Sequence, residues 1–216
     1  MKSAQVICLV LASMAAGEVL ASGDDGAATP ASGDQAASWG FGATLYPTIV
    51  RGGGNYTSAI AVADRGALHL EARHNYESIG TSSAFIGWTF SGGSTVSWQI
   101  TPLLGGAWGT TNAFLPGLEA SLSWKRLDVY IESEYVSDRR NHSDSYIYTW
   151  SELGFQPVDW LRVGLAAQRT RKYEDTPTTQ RGPFAQFMFG RVTLGGFWFS
   201  PGSKNQVVVT SIGITF

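Results

Sequence analysis

Cysteine is almost missing from this 216-residue chain; Cys8 is the only one. It lies inside an apolar run at the start of the chain, so a domain without that run has no thiol. That excludes disulfides, a cysteine nucleophile and thiolate metal sites. No later stretch approaches the roughly 20 consecutive apolar residues of a transmembrane helix, and no window sustains a 3.6-residue hydrophobic period. Histidine is scarce too, with three. There is no HExxH, no Asp-rich calcium loop and no pair of histidines at ligating spacing, so neither a metal nor a cofactor is expected. The glycine-rich RGGGN at 51–55 lacks the Lys and Ser or Thr of a phosphate loop. With 15 basic against 17 acidic residues and a net charge of −2, nothing favours a nucleic-acid partner.

What is present changes abruptly along the chain. Met1-Lys2-Ser3 supplies a short positive start, Ala4 to Ala16 an apolar run of secretory length, and Val19-Leu20-Ala21 a plausible cleavage site, so residues 1–21 read as a signal peptide. Residues 22–38, rich in Gly, Ala, Ser and Asp, bury too little to order themselves and read as a flexible leader. From Trp39 aromatic residues, glycine and threonine rise together, and the alternation has period two. Residues 39–216 therefore form one β-rich domain.

In residues 67–77 Leu68, Leu70, Ala72 and Tyr76 take one face, and His69, Glu71, Arg73, Asn75 and Glu77 the other. GLEASLSW sets Leu118, Ala120, Leu122 and Trp124 against Glu119, and LDVYIESEY sets Leu127, Val129, Ile131 and Tyr135 against Asp128, Tyr130, Glu132 and Glu134. The connections are lopsided, short at 64–66, 91–94, 125–126, 156–159 and 190–191. They are mostly longer at 51–57, 110–117, 137–145, 172–181 and 200–205. Trp39, Phe90, Trp124, Trp160 and Phe216 fall near the short turns; Tyr56, Tyr76, Tyr135, Tyr146 and Trp198 fall near the long loops. Short turns on one side, long loops on the other and two aromatic girdles are features of a transmembrane barrel.

The last strand sharpens this. Phe216 ends the chain, with Ile214, Ile212 and Val208 at alternate positions before it and Thr210 as a mild departure. This pattern resembles the terminal strand of Gram-negative outer-membrane β-barrels. The resemblance implies a cell outer-membrane location, surrounding lipid and lipopolysaccharide, and an assembly signal at Val208, Ile212, Ile214 and Phe216 for the barrel-assembly machinery. The fold class expected is all-β, a transmembrane antiparallel up-and-down β-barrel, monomeric. Its strands are expected near 39–50, 56–63, 67–77, 82–91, 95–109, 117–125, 127–136, 146–155, 160–171, 182–190, 191–200 and 205–216. That makes twelve, or ten if the short second strand merges into a loop.

Phase follows from energy. Arg73 or Arg162 at mid-depth on the lipid face would cost about 2 to 4 kcal/mol each, so the polar faces point inward. The expected lumen charges are Glu71, Arg73, Glu119, Glu132, Glu134, Glu152 and Arg162, with His69, Gln168 and Gln186 beside them. Those on strands six to nine are expected to make one wall. Inward Gly40, Gly42, Gly87, Ser97, Gly164 and Gly195 are expected to widen the space. Arg139, Arg140, Arg169, Arg171, Lys172 and Arg181 gather at two adjacent long loops and suit the phosphates of lipopolysaccharide.

Two functions compete. A charged lumen fits a small pore, with surplus carboxylates favouring cations, or an envelope binding or structural protein whose interior is an ion-pair network. The alternative is a lipid-modifying enzyme, a lipid A or phospholipid hydrolase or acyltransferase, which needs a serine, a histidine and an orienting acid. His142, in NHSDS, reads as a loop tip. His74 points outward near the long loops, with Ser58 diagonal to it and no evident acid, so no catalytic residue is assigned.

Overall fold

The structure, a computed structural model, describes residues 37–172 and 176–216. The expected signal peptide and all but the last two residues of the leader lie outside the described residues. The strands are β1 (Gly40–Val50), β2 (Tyr56–Arg65), β3 (Leu68–His74), β4 (Thr81–Trp88), β5 (Phe90–Gly92), β6 (Ser97–Gly109) and β7 (Ala113–Trp124). They continue as β8 (Leu127–Asp138), β9 (Tyr146–Val158), β10 (Leu161–Lys172), β11 (Thr178–Phe189), β12 (Val192–Phe199) and β13 (Val207–Thr215). Each pairs antiparallel with its neighbour, and β4 and β5 both pair with β6 as one stave interrupted at Thr89. β1 pairs with β13 from Gly42↔Thr215 to Val50↔Val207. The result is a closed twelve-stave antiparallel barrel, and closure leaves no unpaired edge.

The second strand is a full stave of 10 residues rather than a fragment. β7, the sixth strand expected, begins at Ala113, four residues earlier than its pattern suggests, because Leu115-Pro116-Gly117 lies in the strand rather than in a loop. Pro116 has no N–H to give, and the β7–β8 ladder skips from Phe114↔Ser137 to Gly117↔Glu134 while keeping register. β3 stops at His74, short of the expected 77, because Asn75 adopts a left-handed φ of 56°.

Two-residue turns at Gly66-Ala67, Lys125-Arg126, Asp159-Trp160 and Gly190-Arg191 mark one end of the barrel. Gly66 and Gly190 take positive φ at the first position, where a two-residue hairpin of right-handed twist needs it. Lys125 does the same without being glycine, at φ 55°. Longer connections at 51–55, 75–80, 139–145 and 200–206 mark the other end.

The exterior is apolar. Leu45, Ile86, Leu104, Leu122, Ile131, Leu165 and Ile212 all face out and are exposed, a continuous apolar surface that a water-soluble monomer does not carry. At the short-turn end Trp39, Phe90, Trp124, Trp160 and Phe216 are exposed. At the long-loop end the girdle differs from expectation: Tyr135 and Trp198 face out, joined by Trp108 and Phe114. Tyr76 and Tyr146 are buried inside, and Tyr56 packs against the interior cluster. Tyr76 leaves the outward phase because Asn75 breaks the alternation, whereas Tyr146 shares the inward face of Tyr148 and Trp150.

Candidate functional site

The chemistry lies in the lumen, where Arg73 is the centre of one cluster. Its Nε and Nη2 donate to the two oxygens of Glu71 at 2.7 and 3.0 Å, and its Nη1 donates to Glu132 at 3.0 Å and Glu134 at 3.1 Å. The guanidinium also lies 4.3 Å from the ring centres of Tyr76 and Phe85. Tyr76 donates its hydroxyl to Glu132 at 2.8 Å. Glu71 and Arg73 stand on β3, and Glu132 and Glu134 on β8, so the network bridges the lumen. The Arg73 side chain is 1% exposed; a charge so dry persists only when paired and hydrogen-bonded.

A second cluster lies toward the short turns. Arg162 of β10 donates Nε to both Asp128 oxygens at 3.1 and 3.0 Å and Nη1 to Gln186 at 2.8 Å, and it pairs with Glu152. Trp150 donates its indole N–H to Glu152 at 2.9 Å. The single wall expected from strands six to nine is therefore two clusters, because Arg73 reaches across from β3 and draws Glu132 and Glu134 to itself. Glu119 joins neither cluster. It is buried on β7, directly opposite Glu132 in register, with a carboxylate oxygen within 4.8 Å of donor atoms of His69 and Glu71. Of the expected lumen residues Gln168 is also inside, accepting from Tyr148 at 3.3 Å.

Between and above these clusters the lumen is filled with rings. Trp150 meets Phe197 and Phe199 edge-on at 5.3 and 5.2 Å, and Phe184 stacks on Phe197 at 5.3 Å. Leu115, Val136, Val207 and Val209 complete the fill. The loop at 75–80 folds over it: Tyr76 and Glu77 are buried, and Tyr146 donates its hydroxyl to the Glu77 carbonyl at 2.7 Å. Burial pushes the Glu77 carboxyl up, against the pull of Arg73. Period-two reasoning expects polar residues here and misses this lining. Its signal is present in GGFWFS and QVVVT, runs that are apolar on the inward face (Phe197, Phe199, Val207, Val209) as well as on the outward one (Trp198, Val208).

Gly42, Gly87, Gly164 and Gly195 do not widen the lumen, whereas a Cβ on Gly40 would meet nothing within 4 Å. A Cβ on Gly87 would meet Thr101 at 2.9 Å, and one on Gly164 would meet the Phe184 ring at 2.7 Å. These glycines seat neighbouring side chains. Open space is present at the short-turn end, as a cavity of about 1060 Å³. Ser121, Ser123, Gln99 and Gln156 line it, with Asp128, Tyr130, Arg162 and Gln186 toward its inner end.

His69 and His74 diverge. His69 is buried with Nδ1 2.7 Å from Asp64 Oδ1. His74 is on the exterior, paired with Ala59 and Ser82. Its Nδ1 lies 3.0 Å from Ser82 Oγ. Ser58 is inside the barrel, donating to the Asn75 carbonyl at 2.7 Å, so no Ser58–His74 dyad exists.

Arg169, Arg171 and Arg181 are exposed on β10 and β11 near the long-loop end, on the outward face shared with Ala167 and Leu165. Arg139 and Arg140 are exposed in the loop after β8, and Lys172 ends β10 half-buried. On β13 Ile212 and Ile214 face out, Val208 is half-buried and Phe216 is 60% exposed. Phe216 exchanges two backbone hydrogen bonds of 2.9 Å with Phe41, and its ring stacks on that of Phe41, which stacks on Trp39.

The fold is similar to that of two solved structures, "KdgM porin" and "KdgM porin in complex with disordered oligogalacturonate". Each superposes with a TM-score of 0.59 at 8% sequence identity, covering 81% of this chain and 98% of the other. No protein-family model matches the chain, and no curated protein does.

Proposed function

We propose that this protein is an outer-membrane, pore-like β-barrel shut in its long-loop half by its own side chains, with a polar vestibule open on the short-turn side for small polar solutes. The observation that carries this reading is the division of the lumen. One half is packed with the Arg73 network and the Trp150–Phe197–Phe199 rings, while the other keeps the cavity of about 1060 Å³. Twelve staves enclose more room than eight, which side chains just fill, so larger side chains and an inturned loop close this barrel. The apolar exterior, the aromatic girdles and the fold shared with a porin support the membrane location. No acid hydrogen-bonds His74 among the described residues, and nothing favours the lipid-modifying alternative.

At the outer rim Arg169, Arg171 and Arg181, with Arg139, Arg140 and Lys172 nearby, are suited to the phosphates of lipopolysaccharide, since guanidinium forks bind phosphate oxygens in pairs. Val208, Ile212, Ile214 and Phe216 are suited to recognition by the barrel-assembly machinery.

Planar-bilayer recording tests the closure. Wild-type protein is expected to give no steady conductance, and the Trp150→Ala, Phe199→Ala double variant to give discrete steps. Steady steps from the wild type, or a double variant that inserts and stays silent, would overturn the proposal.

A further inference from the structure

His69, Glu71 and Glu119 bring one donor atom each to within 4.8 Å of one another, and all three residues are buried. His69 is on β3 beside the short turn, Glu71 is the next inward residue on the same strand, and Glu119 reaches in from β7. The His69 side chain is only 7% exposed, and its Nε2 is buried without a hydrogen-bond partner, 3.7 Å from Glu71 Oε2. Its other nitrogen is held by Asp64 at 2.7 Å. A carboxylate bonded to Nδ1–H fixes the tautomer that leaves Nε2 with a lone pair, the usual support of a metal-ligating histidine.

The surrounding charge asks for a cation. Glu71, Glu132 and Glu134 share the one guanidinium of Arg73, and Glu119 stands directly opposite Glu132. Four carboxyl groups crowd one guanidinium, and like charges directly opposite in a sheet repel. No hydrogen bond or ion pair holds Glu119 among the described residues. Both Glu71 oxygens bond Arg73, yet an ionised carboxylate offers about four lone-pair sites, so about two remain, enough for a metal.

We propose that His69 Nε2, Glu71 and Glu119 form a binding site for a divalent transition metal of the zinc class inside the lumen, with Asp64 orienting His69. One imidazole and two carboxylates leave the fourth tetrahedral position to water, as in open zinc sites. Ligands at the usual zinc distances sit about 3.4 Å apart, so the site closes by a small swing of Glu119. The entry path is the vestibule, because Ser121, the next inward residue on β7 after Glu119, lines the cavity. A divalent ion offsets the crowding of carboxylates around Arg73. The sequence hides the site because its ligands lie on strands nearly fifty residues apart, outside any spacing motif. The inference holds whether or not the barrel conducts.

Isothermal titration of EDTA-stripped, detergent-solubilised full-length barrel with ZnCl2, checked by elemental analysis after dialysis, tests it. About one zinc per chain is expected. Glu119→Gln and His69→Ala should each weaken binding at least tenfold, Asp64→Asn about 10 to 100-fold, and His142→Ala not at all. X-ray absorption should show nitrogen and oxygen ligands including an imidazole. Absence of saturable binding, or wild-type affinity in Glu119→Gln, would overturn the proposal. If His69→Ala fails to assemble, Glu119→Gln and Asp64→Asn decide it, each verified as folded by its heat-dependent migration on gels.

Discussion

Arg73 holds three carboxylates in a place with almost no water, and its side chain is 1% exposed. Removing one partner of a buried ion pair leaves the others uncompensated, which costs about 3 to 5 kcal/mol. Arg73→Met is therefore expected to lower the unfolding free energy of the micelle-bound barrel by about that amount, measured by denaturant titration. Arg73→Lys should recover only part of it, since an ammonium cannot repeat the fork that grips Glu71 while reaching Glu132 and Glu134. Alternation showed that Arg73 and these glutamates face inward, because the opposite phase puts charge on the apolar surface. Which carboxylates Arg73 selects was not legible, since that depends on how far a guanidinium reaches from β3 to β8.

At the scale of the element, β10 and β11 show how a glycine in a strand serves packing. Gly164 pairs with Phe184, whose ring lies over it; that ring in turn carries the Arg162 guanidinium at 4.7 Å and stacks on Phe197. Gly164→Ala would push a methyl into the ring and toward the Leu153 carbonyl. Overpacking of this kind costs about 1 to 3 kcal/mol. If displacement of the ring is the cause, adding Phe184→Ala should cost less than the sum of the two single changes in a double-mutant cycle; additivity would mean that backbone strain dominates. Strand positions were legible from period two, while boundaries failed where a residue breaks phase. Asn75 cuts β3 short and turns Tyr76 inward, and Pro116 lies inside β7 although its type suggests a loop.

At the scale of the whole molecule, the barrel exists only if β13 finds β1. Phe216 contributes two backbone hydrogen bonds to Phe41 and a ring in the short-turn girdle. Deleting Phe216 is expected to reduce the amount of assembled barrel several-fold while leaving export unchanged, read as the ratio of heat-modifiable to unfolded protein in membrane and periplasmic fractions. Unchanged assembly would remove the role assigned to this residue.

The sequence by itself determined the architecture and the two faces of nearly every stave. Period-two alternation is local, and the cost of charge on an apolar surface is large enough to set its phase. Only the tertiary structure decided what the interior is. Closure brought β3 against β7 and β8, joined Arg73 to Glu132 and Glu134, placed His69 and Glu71 beside Glu119, and packed Trp150 against Phe197 and Phe199. Those contacts depend on strand tilt and side-chain volume across the lumen, quantities that no short window of the chain contains.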